Sequence, residues 1–157
     1  MNKGSPILTA FTIIFQSKMN FVIPTSTFIL KLFVFNSLEI RVNNQYNFYS
    51  NNVSLFAQNT GQYMAWQTFV IRVTQNFDTD AISFFIDTTK WSSNTAYIAP
   101  ITTNTFILNS LITTGSYKID YSFIKLYSVS LSDAMILQLA VNGGTIDLKN
   151  SKIVVYK

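Results

Sequence analysis

Apolar and polar residues alternate along most of this chain with a period of two. The alternation comes in short runs separated by Asn, Ser, Thr and Gly. Gln67–Thr74 shows it most clearly, with Phe69, Ile71 and Val73 on one side and Val70, Arg72 and Thr74 on the other. Successive side chains of an extended chain point to opposite faces, so this period predicts strands. Further runs are Leu8–Gln16, Thr27–Phe35, Leu38–Val42, Tyr46–Tyr49, Val53–Ala57, Ala81–Asp87, Thr105–Leu108, Ile119–Ser128 and Lys152–Tyr156. Turns are expected at Asn36-Ser37, at Asn43-Asn44 and in "QNFDTD". Strands spaced this way predict an antiparallel sandwich or barrel. Lys90–Asn104 is the longest segment without a clear period and reads as irregular; it carries Trp91, Asn94, Tyr97 and Pro100.

One stretch has a different period. In "YSVSLSDAMILQLAVNGG" Ser132 is placed to cap a helix and Asp133 lies in its first turn. A side-chain oxygen there satisfies a free backbone N–H, and the helix dipole favours the acid. Leu131 and Ile136 have the spacing of a hydrophobic staple. Met135, Ile136, Leu139 and Ala140 share one face, and Gly143-Gly144 ends the helix. The expectation is one short helix near residues 132–141, laid on or across the edge of the sandwich.

Composition narrows the class. The chain has 157 residues, 48% of them hydrophobic and 11% charged, which suits one domain over residues 1–157 with a sizeable core. Net charge is +4, but the basic residues are scattered except for Lys149, Lys152 and Lys157. A groove that follows phosphates needs them clustered, so no nucleic-acid partner is expected. "FVIPTSTFILKLFVF" is interrupted by Pro24 and Lys31 and is too short for a membrane span. Lys3 and the apolar run after it read as the approach to a strand rather than a targeting segment. The 14 Phe and 8 Tyr exceed what a small sandwich core needs, and Phe84-Phe85 puts a ring on each face of a strand. A partner covering one face would account for this.

The order of several segments resembles the laminin-G-like domains of the concanavalin A-like lectin and glucanase superfamily. The resemblance rests on "FIKLYSVSLSDAMILQLAVNG" (residues 123–143) and on "AWQTFVIRVT", "AISFFIDTTKW" and "AFTIIFQSK" upstream. It implies an all-β antiparallel jelly-roll sandwich with Trp66 in the core. The chain departs from the pattern at Gln16, where the family has Trp, and at Thr88, where it has Gly. No clear room exists before Leu8 for the family's first strand, so an open sheet edge is expected.

Much chemistry is excluded. The chain has no His and no Cys, which rules out Ser-His-Asp, Cys-His and N/S-ligated zinc sites. Glu39 is the single glutamate, and around Asp120 the same-face positions are Lys118, Ser122 and Ile124. A glycosidase needs two carboxyl groups about 5–10 Å apart, so no enzyme is expected. Sugar binding needs aromatic faces beside amides; Trp91, Asn94 and Tyr97 offer these, as do Gln62, Tyr63 and Trp66. No cofactor is required. Calcium is usual in such domains by the resemblance, and Asp78 and Asp80 in "NFDTD" are its candidate ligands, but an Asx-rich hairpin turn is the preferred reading of these two residues. Asn52-Val53-Ser54 is the one N-glycosylation sequon.

These features point to a non-catalytic interaction or structural module in a larger assembly, contacting protein or glycan. By the resemblance its place is extracellular or at the cell surface. The alternatives are a calcium-assisted lectin and an accessory structural subunit of an organellar or viral assembly.

Overall fold

The computed structural model describes residues 10–22, 29–59, 64–74, 81–94, 106–111 and 117–142. Among them ten strands and one helix follow in order: β1 (Phe11–Met19), β2 (Leu30–Phe35), β3 (Leu38–Val42), β4 (Gln45–Ser50), β5 (Val53–Asn59), β6 (Gln67–Val73), β7 (Ile82–Ile86), β8 (Thr89–Ser93), β9 (Phe106–Leu111), β10 (Ile119–Tyr127) and α1 (Asp133–Val141). The predicted final strand Lys152–Tyr156 and the stop at Gly143-Gly144 lie outside the described residues.

The strands form two five-stranded antiparallel sheets, ordered β10-β1-β6-β7-β8 and β5-β4-β3-β2-β9. The protein is an antiparallel jelly-roll β-sandwich with one short helix among the described residues. Tight hairpins set the register. Asn36 (φ 53°), Asn51 (φ 50°), Asn52 (φ 63°) and Asp87 (φ 52°) take the left-handed conformation that these turns demand. Asn and Asp tolerate it because their short polar side chains bond locally.

One turn corrects the sequence reading. The segment Lys90–Asn104 is not irregular from its start, because β8 occupies Thr89–Ser93 and Trp91 lies within it. The cause is the Asp87-Thr88 turn, which reverses the chain at once. The Asp87 backbone N–H donates to Thr68 O at 2.7 Å, and its carboxylate accepts from the Thr68 N–H at 2.9 Å. Both bonds fasten the hairpin to β6.

The core lies between the sheets and is built largely of phenylalanine. Phe15 on β1 stacks on Phe33 of the opposite sheet at 4.6 Å and on Phe69 of β6 at 5.0 Å. Phe84 on β7 stacks on Phe48 of β4 at 5.1 Å, and Phe11 meets Phe35 edge-on at 5.8 Å. Two phenol hydroxyls bridge the layers as well. Tyr46 donates to Gln67 Oε1 at 2.6 Å, and Tyr121 donates to Leu32 O at 2.6 Å. Many of the described aromatic rings are thus packed inside the sandwich.

A second, smaller apolar cluster occupies the outer face of the first sheet. Ile14, Val70, Phe85 and Tyr127 rise from it, and Leu131, Ile136 and Leu139 come down from α1 and its entry. Each aliphatic side chain buried there contributes about 1.5–3 kcal/mol. Phe85, the outward ring of the Phe84-Phe85 pair, is thus covered by the chain's own helix. Ser132 caps α1 by accepting from the Met135 N–H at 3.3 Å. Thr12 splints the entry: its hydroxyl donates to Val129 O at 3.0 Å and accepts from the Leu131 N–H at 2.9 Å.

An ion pair fastens the helix. Arg72 is only 5% exposed. Its guanidinium donates to Asp133 at the start of α1, to Leu131 O at 3.1 Å and to Ser83 Oγ at 3.0 Å. Lys90 on β8 reaches the other Asp133 oxygen at 2.9 Å. Burial works to raise the Asp133 pKa, but the hydrogen bonds and charges of Lys90 and Arg72 outweigh it and hold the carboxyl below its ordinary 3.8.

Two outcomes test this description. Phe15→Ala leaves a cavity between three rings and is expected to cost about 3–5 kcal/mol in denaturant unfolding; a loss below about 1 kcal/mol contradicts the central stack. Asp133→Asn leaves a buried guanidinium without its carboxylate. Since Asp133 is half exposed, a loss of about 1–2 kcal/mol is expected. The folded carboxyl titrates below the unfolded one, so its contribution is complete above about pH 5 and lost as pH falls through the folded value. Melting curves of wild type and Asp133→Asn should therefore differ at neutral pH and converge in acid below the ordinary 3.8.

Candidate ligand-binding surface

α1 covers only part of the first sheet's outer face. Beyond it, the alternation along β1 and β10 and into β6 presents Gln16, Lys18, Asp120 and Trp66, the residue before β6, on the same side, while Phe123 packs against the helix-covered cluster. Lys18 is paired with Asp120 across β1 and β10, and Ser17 with Gln67 across β1 and β6. Trp66, the residue before Gln67, therefore falls beside Lys18, whose ammonium sits 5.5 Å from the indole centroid. Asp120, Lys18 and Trp66 form one row across three adjacent strands.

The row has polar neighbours. Asn20 donates to Asp120 Oδ2 at 2.5 Å, and Lys118 lies 3.6 Å from the other oxygen. Lys125 stands over Phe123 at 5.4 Å. Trp66 is 44% exposed and Met64 is exposed beside it in sequence. The core placement that the family resemblance implied for Trp66 is corrected here. Phe69, Ile71 and Val73 fill the core from β6, so Trp66 has the outward parity of Val70 and Arg72, and α1 does not extend over it. The signal was available in the alternation of β6 itself.

The outer face of the second sheet is a charged lattice that satisfies itself. Glu39 accepts from Arg41 Nε at 2.6 Å and from Lys31 Nζ at 3.1 Å. Arg41 lies 4.0 Å above the Tyr49 ring and donates to Asn52 Oδ1 at 3.1 Å. Burial tends to raise the Glu39 pKa, but bonds from Arg41 and Lys31 reverse the effect and hold it below its ordinary value. The single glutamate of the chain is therefore ionised and doubly paired, the opposite of a general acid.

Of the residues singled out from sequence as a ligand or metal site, Trp91 and Asn94 lie among the described residues. Trp91 lies on edge strand β8 with its ring 5.9 Å from Phe84, partly buried against the inter-sheet core. Asn94 follows that strand and is exposed. Tyr63, Tyr97, Asp78 and Asp80 lie outside the described residues, as does Gln62. Among the described residues no three carboxylates gather into a metal-binding group.

No family model matches the chain. Nor does any curated protein match it in sequence. Solved structures are similar in shape. The Botulinum Neurotoxin Type G Receptor Binding Domain superposes with a TM-score of 0.68 at 9% identity, over 86% of this chain and 38% of its own. Trypanosoma rangeli sialidase gives 0.67 at 13% identity, over 85% and 23%. A Bacteroides ovatus structure named "putative carbohydrate binding protein" gives 0.66 at 10% identity, over 97% and 46%. The chain spans less than half the length of each. At such identities the likeness establishes a shared β-sandwich fold.

The two tryptophans of the chain make the geometry measurable. Trp66 should supply the fluorescence that iodide quenches readily, and Trp91 the protected part. Trp66→Phe is expected to remove most of the iodide-accessible emission and to shift the remainder to shorter wavelength. Retention of the accessible component in Trp66→Phe contradicts this placement.

Proposed function

We propose that this chain is a non-catalytic recognition module of the concanavalin A-like lectin and glucanase superfamily, laminin-G-like in its terminal segment. It forms one domain over residues 1–157, working as part of a larger extracellular or cell-surface assembly. The observation that carries this reading is the row Trp66–Lys18–Asp120 beside the helix-covered part of the first sheet, with Trp66 exposed and Lys18 and Asp120 partly so. A pyranose presents C–H groups on one face and hydroxyls around its rim. An exposed indole meets the first, and Lys18, Asn20, Gln16 and Asp120 are donors and acceptors for the second.

Several facts support the reading. Structures similar in fold include a receptor binding domain and a protein named for carbohydrate binding. A sialidase is also among them, yet this chain covers 23% of it. The carboxylates Glu39, Asp87 and Asp133 are each engaged in structural bonds, which supports a non-catalytic role. No helix among the described residues is long and apolar enough to cross a membrane.

A second reading, contact with protein, draws on α1. Its outward side exposes Leu137 and Val141, with Val129 exposed nearby. The same module would then hold a neighbour in the assembly through the helix.

A panel of neutral and acidic oligosaccharides, with binding read by calorimetry, tests the leading reading. Trp66→Ala is expected to weaken the best saccharide about tenfold, equivalent to about 1.4 kcal/mol, with melting temperature unchanged. Repetition with EDTA separates it from the calcium-assisted lectin, which chelation would silence. No saccharide binding in the panel, or equal binding by Trp66→Ala, overturns the glycan reading.

A further inference from the structure

The hairpin joining β4 to β5 carries a feature that the Trp66 surface does not use. Its two-residue tip is Asn51-Asn52, with both residues at positive φ, and Ser50 faces Val53 across it. The tip begins the sequon Asn52-Val53-Ser54, the one such triplet in the chain. All three residues are exposed, Val53 by 59%. The Asn52 carbonyl oxygen accepts from Arg41 at 3.1 Å. That bond orients the amide and leaves Nδ2 as the group turned away from the Arg41 contact.

Among the described residues the strand that follows is an edge, and β5 pairs only with β4. Its sequence, VSLFAQN, contains none of the charged residues that usually keep an exposed edge from pairing with another chain. Ser54, Ala57 and Gln58 are exposed along it.

We propose that Asn52 is an N-glycosylation site and that the glycan there shields the open β5 edge. The proposal rests on the extracellular reading above, because the modifying machinery acts on exported chains. The co-substrate is a lipid-linked glycosyl diphosphate. Asn52 Nδ2 forms a bond to the anomeric carbon of the first sugar, and the bond from that carbon to the diphosphate oxygen breaks. The electron pair leaves with the diphosphate, and the displaced amide proton passes to a base. The Ser54 hydroxyl completes the acceptor triplet. A bulky hydrophilic chain at the first residues of β5 then occupies the space a pairing strand would need.

The test is expression of the full chain with a secretion signal in a eukaryotic host. Intact mass and digestion with peptide N-glycosidase give the readout. One N-glycan is expected, released with conversion of Asn52 to Asp, lost in Asn52→Gln and Ser54→Ala and kept in Ser54→Thr. Ser54→Ala retains the Asn52–Arg41 contact, so its loss of glycan is not a folding effect. Secreted, folded wild type without the glycan overturns the site. Enzymatically deglycosylated protein and Ser54→Ala should self-associate more strongly than wild type in sedimentation velocity; equal sedimentation overturns the shielding role. A secreted chain that binds saccharide through Trp66 but lacks the glycan rejects this inference alone. Glycan at Asn52 with no saccharide binding rejects the earlier reading alone.

Discussion

The two sheets are held at their distance by rings that meet face to face across the interior. Phe15–Phe33 and Phe48–Phe84 are stacked pairs that cross between layers, each with an interplanar angle of 13°. Phe69 links them, lying 5.0 Å from Phe15 and 6.5 Å from Phe84. Such pairs contribute about 0.5–1.5 kcal/mol beyond the area they bury. Their more important effect is on register. A ring cannot move to the next inward position without shifting its strand by two residues, and a shift by one turns it to the outside. The outer face inherits its order from this constraint: with Phe69 inward, Val70 and Arg72 are outward by parity, and so is Trp66.

That outer face is then divided by the helix. α1 needs an apolar floor and a cationic anchor; Ile14, Val70, Phe85 and Tyr127 supply the first across β1, β6, β7 and β10, and Arg72 and Lys90 the second. Asp133 is attracted there by two charges, one of them buried, and Thr12 holds the entry segment by two hydrogen bonds. The ends of β1, β6 and β10 at Lys18, Gln67 and Asp120 are not part of that apolar cluster. The clamp that closes half of the face thereby leaves the row of Trp66, Lys18 and Asp120 open, so fold stability and the accessible surface follow from the same docking.

Local pattern made most of the fold legible. The run Leu38–Val42 coincides with β3, and Ser132 caps α1 as its spacing predicted. β8 was missed because Thr89–Ser93 has one apolar residue, Trp91, and so shows no alternation. It forms because β7 presents a free edge and Asp87 turns the chain back. Trp66 was misplaced for a different reason. The family pattern outweighed the parity of its own strand, and no sequence rule tells how far a distant helix reaches over a sheet. The Arg72–Asp133 contact, 61 residues apart in sequence, belongs to the same class of information. Contacts of that length depend on topology and have no local period.

The chain contains only 5 Gly, and this shapes its periphery. Left-handed turn positions that glycine would fill fall to Asn36, Asn51, Asn52 and Asp87. Each pays a small conformational cost relative to glycine, yet each brings a hydrogen-bonding side chain to the tip. Asp87 uses it to grip β6, and Asn52 to meet Arg41. A glycine at either place would make the same turn and do neither. The low charge of the chain leaves amides at several of its turns, while its outer faces carry a few paired ions such as Glu39 with Lys31 and Arg41. Strand register does the same for the open face: the pairing of Ser17 with Gln67 is what sets the Trp66 indole beside the Lys18 ammonium.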